Sequence, residues 1–244
     1  AILVVHLYGL PCSMKEIMII AKKYKLKVIE DCAQAIGATY LGKKVGNFGD
    51  FGCFSLFPAK NLGALSDAGV ITTKNKNFSN TIRSLRNYGE ENFINYQSRK
   101  YLNKYKGLNS RMSEINGAVL CHKIVDLKKE NLQRKKKATV YLDYIKNANI
   151  VKPKIKKKTN PVWHQFIILC KKRNELKKLL LKKGYETKII YPIPPHKQPA
   201  YEEFKTLKLP ITEKIHSCNL SLPIASHFSF KDIKKIINII NGFK

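Results

Sequence analysis

Four side chains of this chain are spaced so that they could share one piece of chemistry. Asp31 closes the apolar run Lys27-Val28-Ile29-Glu30-Asp31, and Gln34 lies one turn further on. Ser55 sits within the apolar run Phe51–Phe57, and Lys60 follows it directly after Pro58-Ala59. A carboxylate at the end of a buried strand is costly unless a cation meets it, and a lysine just after such a strand is an unusual place for a solvated amine. Each residue alone also has a plain structural reading: Asp31 as a helix cap, Lys60 as a surface residue, Ser55 as a hydroxyl bonded to backbone. Taken together, they suggest a cofactor. Pyridoxal phosphate requires a lysine amine for a Schiff base and a carboxylate that keeps its pyridine nitrogen protonated, and its phosphate requires hydroxyl and N–H donors.

The elements that must position these residues follow from the pattern around them. Ile2-Leu3-Val4-Val5 is a β-branched run, so the sequence opens within a buried strand. Ser13-Met14-Lys15-Glu16 reads as a capping box, and Ile17, Ile20, Ala21 and Tyr24 follow at helical spacing. With the strand Lys27–Asp31 this makes a βαβ unit and hence parallel strands. Ligands of such sheets bind at the carboxyl ends of the strands, where Asp31 falls. Beyond it the pattern predicts strands over Phe51–Phe57 and Gly69–Thr73, a helix over Asn77–Arg86, a long polar loop over 90–108, and helix from Met112 to Ile145 with one interruption. A linker is expected over Lys152–Pro161, then strand Trp163–Leu169, helix Glu175–Lys183, strand Glu186–Tyr191, an irregular proline-rich stretch Pro192–Pro199, and an amphipathic helix Lys231–Phe243. The expected fold is α/β, with a mostly parallel-sheet domain over 1–130. A smaller α+β domain over 131–244 includes the long connecting helix.

Composition bounds the alternatives. The chain has 244 residues, 44% apolar, enough for a sizeable core, and a formal charge of +29. Only six of the 46 cations are Arg, whereas base readout and bidentate phosphate contacts favour Arg. A polycationic nucleic-acid-binding protein is therefore the minor alternative, and lysine spread over solvated faces is the simpler reading. No apolar run reaches the ~18 residues of a membrane span. The six cysteines are scattered without a CxxC pair, which fits free thiols in the cytoplasm and no metal site.

The order of motifs resembles the DegT/StrS family of pyridoxal-phosphate-dependent nucleotide-sugar aminotransferases. It is carried by His6-Leu7-Tyr8-Gly9, Glu30-Asp31-Cys32-Ala33-Gln34-Ala35, Gly49-Asp50 ahead of Cys53-Phe54-Ser55, and Pro58-Ala59-Lys60-Asn61-Leu62-Gly63. It continues through Asp67-Ala68-Gly69, Leu85-Arg86-Asn87-Tyr88-Gly89, Asn109-Ser110-Arg111-Met112, Tyr191–Tyr201 and Leu220-Ser221-Leu222-Pro223. The resemblance implies the type I fold of pyridoxal-phosphate-dependent transferases: a three-layer large domain, here incomplete at its N-terminus by roughly a third of the usual chain, and a small C-terminal domain. It implies that Lys60 bonds to the cofactor and shuttles a proton, that Asp31 pairs with the pyridine nitrogen, that Gln34 bonds the ring hydroxyl, and that Ser55 contacts the phosphate. Asn109 is implied to reach the phosphate of a neighbouring subunit, making a homodimer, and Tyr191 and His196 to lie near the sugar-nucleotide pocket. The implied reaction is amino transfer from glutamate to a dTDP-linked 3-keto-6-deoxyhexose, for amino sugars of cell-surface polysaccharide such as O-antigen. A truncated inactive remnant of that enzyme is the alternative within the family. Ser66 and Cys32 stand where Gly and Ala are common, and the histidines often found in the loop matching Ile94–Tyr101 are missing.

Overall fold

The computed structural model describes residues 1–90 and 102–244; most of the loop expected over 90–108 lies outside them. The chain divides into two compact units, Ala1–Lys128 with Lys158–Pro161, and Lys129–Lys157 with Val162–Lys244.

The first unit is built on a four-stranded sheet, β1 (Ile2–Val5), β2 (Val28–Asp31), β5 (Phe51–Ser55) and β6 (Gly69–Thr72), in that spatial order. β1, β2 and β5 are parallel and β6 is antiparallel to β5. α1 (Met14–Lys23) returns the chain between β1 and β2, burying Met14 and Ala21 against Val4, Val28 and Tyr40. Ser13 precedes α1 but makes no side-chain cap there, so the capping-box pattern marks the helix start without supplying its usual bond. Two two-residue strands, β3 (Thr39–Tyr40) and β4 (Lys43–Lys44), form a small second sheet with β8 (Thr159–Asn160). The expected linker Lys152–Pro161 thus ends in a strand, because Thr39 and Tyr40 offer an edge that Asn160 and Thr159 can pair. α2 (Lys76–Leu85) is capped by Asn75, whose side chain accepts from the N–H groups of Asn77 and Phe78. The long helix expected over Met112–Ile145 has its one interruption as a 3₁₀ turn at Ile124–Asp126, between α3 (Glu114–Lys123) and α4 (Leu127–Tyr144).

The second unit packs α5 (Arg173–Lys182), α6 (Pro210–Cys218) and α7 (Phe230–Asn241) with a sheet of β7 (Ile150–Val151), β9 (Phe166–Cys170) and β10 (Asn219–Leu222). β9 is central, antiparallel to both neighbours, and buries Phe166 beside Tyr141 and Trp163, with ring centroids 4.8 and 5.4 Å away. Leu176 and Leu180 of α5 and Ile233, Ile236, Ile237 and Ile240 of α7 complete this core at the 3.6-residue spacing of one helix face. The strand expected over Glu186–Tyr191 shrinks to one bridge between Lys188 and Ser221. Past it the Asn219 side chain takes the Ile190 N–H at 3.0 Å, replacing the next ladder bond. Pro195 and Pro199 each open a short 3₁₀ turn in the stretch expected to be irregular, where a missing N–H costs nothing at the first position. Among the described residues, no helix is long and apolar enough to cross a membrane.

Candidate active site

Strand alternation sorts the residues of β2 between two environments. Val28 and Glu30 are buried on the side that faces α1, whereas Ile29 and Asp31 point to the other side. Register places Val5, Asp31, Cys53 and Ile71 side by side across the sheet, with Ser55 two residues along from Cys53 on the same face. This face is accessible: Leu3 is 63% and Val5 40% exposed. Asp31 therefore lies at the carboxyl end of a parallel strand on an open face, half-buried, and its Oδ1 accepts the Ala33 N–H at 2.9 Å.

Lys60 reaches the same neighbourhood on a tight turn. The Leu56 N–H bonds the Ala68 carbonyl, the Lys60 N–H bonds the Phe57 carbonyl at 2.9 Å, and the Ala64 N–H returns to the Leu56 carbonyl at 2.7 Å. Leu56, Leu62 and Ala64 anchor the turn in a small core with Leu120. Asn116 on α3 clamps it from outside, its Oδ1 accepting the Leu65 N–H at 3.1 Å and its Nδ2 donating to Ser66 Oγ at 2.9 Å. Lys123 Nζ donates to the Gly63 carbonyl at 2.5 Å. The half-buried Lys60 amine has its pKa lowered by burial, a shift that the nearby Asp31 carboxylate opposes. An amine made less basic and kept beside a carboxylate is primed to act as a nucleophile or to carry a proton.

Gln34 is tied to the loop after β1: its Oε1 accepts the Tyr8 N–H at 2.6 Å. That bond fixes which end of the amide is the acceptor and leaves the other end as the donor. Ser55 accepts the Phe57 N–H at a long 3.4 Å. Of the sequence-predicted residues, Asp31, Gln34, Ser55 and Lys60 thus fall on β2, β5 and the turns that leave their carboxyl ends. Asn109 lies elsewhere in the first unit, exposed, bridged to Asn87 and accepting from Arg111 Nε at 3.1 Å. Tyr191 and His196 belong to the second unit. Tyr191 is exposed and its carbonyl accepts from His216 Nδ1 at 2.8 Å, while the buried His196 donates from Nε2 to Glu213 at 3.0 Å. That bond, with the Leu209 N–H, draws the Glu213 carboxyl below its usual range.

Behind Asp31 lies a buried pair to which the sequence pattern attaches no role. His6 and Glu30 are both fully buried, with His6 Nε2 3.1 Å from Glu30 Oε2. Glu30 also accepts the N–H groups of Gly46, Phe48 and Gly49 at 2.7 to 2.8 Å. Burial alone raises its carboxyl pKa, but His6 and these three amides draw it below the usual value. His6 Nδ1 accepts the Cys12 N–H at 3.0 Å, so the ring proton sits on Nε2 and is donated to Glu30. Cys32 lies close enough to make a three-ligand cluster. Yet the four acceptor positions of Glu30 are already filled by donors, which leaves no lone pair for a cation. The available signal in the sequence was an ionisable residue at a buried position of an alternating strand.

Asp31 and Ser55 share one face of the sheet, and Lys60 lies within electrostatic range of Asp31; these are groups of the kinds that pyridoxal phosphate requires. The comparisons with known proteins concern the chain as a whole. The profile of the DegT/DnrJ/EryC1/StrS aminotransferase family matches residues 1–241. The chain is 45% identical over 243 residues to the dTDP-3-amino-3,6-dideoxy-alpha-D-galactopyranose transaminase of Aneurinibacillus thermoaerophilus, covering all of this chain and 65% of that protein. Among solved structures it is similar to DesV of S. venezuelae, with 35% identity, a TM-score of 0.91, and coverage of 98% of this chain and 63% of that one. It is also similar to NtdA of Bacillus subtilis, solved with bound cofactor PMP, with 31% identity, a TM-score of 0.86, and coverage of 98% and 55%. The chain thus spans just under two thirds of the length of the curated relative. Matched nearly end to end by one profile and superposed on two of its solved relatives, the chain belongs to the DegT/DnrJ/EryC1/StrS aminotransferase family.

Proposed function

We propose that this chain carries the cofactor-binding residues of a pyridoxal-phosphate-dependent aminotransferase that acts on a nucleotide-linked keto sugar. The observation that carries the reading is the Lys60 amine, half-buried with a lowered pKa and within electrostatic range of Asp31. Bound pyridoxal phosphate supplies an electron sink that makes an amino-acid α-hydrogen removable. The rest is the work of this chain's own residues. Asp31 presents a carboxylate to a protonated ring nitrogen and so keeps that proton in place. Gln34, its oxygen engaged by Tyr8, turns its N–H donors to the ring oxygen. Ser55 offers a hydroxyl to the phosphate. Lys60, less basic than a free lysine, holds the cofactor and then takes and returns a proton, a role suited to a pKa moved toward the working pH.

The finer assignments rest on the family and on the relatives' names. Glutamate is the amino donor, a dTDP-3-keto-6-deoxyhexose the acceptor, and surface-polysaccharide amino sugars the destination. Asn109 serves the phosphate of a second subunit in a homodimer, and Tyr191 and His196 line the sugar-nucleotide side. Six free thiols fit a reducing cytoplasm.

The test is spectroscopic. Titrating the chain with pyridoxal phosphate is expected to give a visible absorbance band that glutamate bleaches and that Lys60→Ala lacks. A band of equal strength in Lys60→Ala, or none in the parent chain, overturns the reading.

A further inference from the structure

Two adjacent residues of β2 are carboxylates with opposite surroundings, and only one of them is used by the chemistry above. Asp31 faces the open side of the sheet; Glu30 faces the interior and is held by His6 and three amides. The same histidine governs the loop that touches the cofactor-side residues. Its backbone N–H donates to the Asp31 carbonyl at 3.0 Å. Its ring is bonded at both nitrogens, to Glu30 at one and to the Cys12 N–H at the other, and the latter bond closes the loop 6–12. Within that loop Tyr8 adopts φ +60°, a conformation that non-glycine residues rarely take, and in that conformation its N–H reaches Gln34 Oε1. Gly46, Phe48 and Gly49 bind Glu30 from a second loop, and Asp50 next to them accepts the Val28 N–H at 2.9 Å, so this loop is tied to both ends of β2.

We propose that His6 and Glu30 form a positioning couple: anchored on the buried face of β2, they hold the loop whose Tyr8 N–H orients Gln34 and fix the strand end that presents Asp31. This inference rests on the cofactor reading of Asp31 and Gln34. His6 and Glu30 touch neither cofactor nor substrate in this assignment. They act through their neighbours, as outer partners of metal ligands do. A packing role alone would contribute stability and leave the behaviour of a bound cofactor untouched, and this difference is measurable.

The experiment uses the full chain and the variants His6→Leu, His6→Gln and Glu30→Gln, with Asp31→Asn as a reference. The first measurement needs no cofactor: amide hydrogen exchange at Tyr8 and Ala33, with Ile82 of α2 and Leu120 of α3, in the same unit, as controls for folding. Exchange at Tyr8 is expected to speed up by about tenfold in His6→Leu, the scale of one lost hydrogen bond, while the controls hold. The second measurement is pyridoxal phosphate affinity together with the pH midpoint of the bound cofactor's visible band. His6→Leu and Glu30→Gln are expected to weaken binding by about tenfold and to move the midpoint by about half a unit or more in the direction that Asp31→Asn moves it. His6→Gln, whose amide can still donate to Glu30, recovers most of both. If His6→Leu loses control protection, Glu30→Gln carries the comparison. Unchanged exchange at Tyr8 and Ala33 overturns the proposal, as does changed exchange with an unaltered affinity and midpoint. If the parent chain binds no cofactor, the functional reading has failed, and the exchange result still decides whether the couple holds Tyr8 and β2.

Discussion

Lys60 and Asp31 could be picked out from the sequence because their cost is visible there: charged groups placed against apolar strands need a reason. Glu30 stands in the same strand without a legible role, since the period-2 pattern marks its position as buried but cannot show three backbone amides arriving from residues 46–49. His6 was equally silent, because its partner lies 24 residues away. Their pairing has a pH signature. The Glu30 carboxyl is held below its usual value by His6 and the amides, against the opposing effect of burial. A group depressed in the folded state contributes stability above its unfolded pKa, about 4.3 for glutamate, and loses it as pH falls through the folded value. Thermal melts are therefore expected to drop on acidification below about pH 4.3. Glu30→Gln should flatten that decline while lowering stability at neutral pH by about 1.5–3 kcal/mol, the scale of a hydrogen bond to a charged group.

Among the elements, long periodic segments were legible and short ones were not. The amphipathic face of α7 and the β-branched run of β1 announced themselves, while β3, β4 and β8, two residues each, have no period to read. The turn that carries Lys60 shows what the sequence withholds about tightness. A methyl group on Gly63 would lie 2.3 Å from the Pro58 carbonyl oxygen, whereas one on Gly117 of α3 meets nothing within 4 Å. Gly63→Ala is expected to force the turn open, costing about 1–3 kcal/mol and weakening cofactor binding with it. Gly117→Ala, in a helix with open space, should instead raise stability by about 0.5–1 kcal/mol. Chemical denaturation of both variants beside the parent checks the opposed signs; equal effects would mean that the turn is not strained by added bulk.

Across the whole molecule the alternation of strand and helix was enough to specify an α/β sheet with the candidate site at its carboxyl edge. It was not enough to show that β6 runs against its neighbour β5, since strand direction depends on connections that the pattern does not encode. The net charge of +29 belongs to this scale too. Unbalanced charge of one sign destabilises a compact chain by self-repulsion, and salt screens it. Raising sodium chloride from about 20 to about 200 mM should lift the melting temperature by about 2–4 °C, equivalent to about 1 kcal/mol for a chain of this size. A scanning calorimetry series that falls with salt would mean that attractive ion pairs outweigh the repulsion. The side-by-side carboxylates of β2 carry a last consequence, for the kinds of sequence change this site can survive. Because side chains alternate, deleting or inserting one residue within Val28–Asp31 would carry the solvent-side carboxylate inward and the amide-bound one outward. Substitutions at this strand degrade the site by degrees; a change in its length by one exchanges the two acids and removes the site at a stroke.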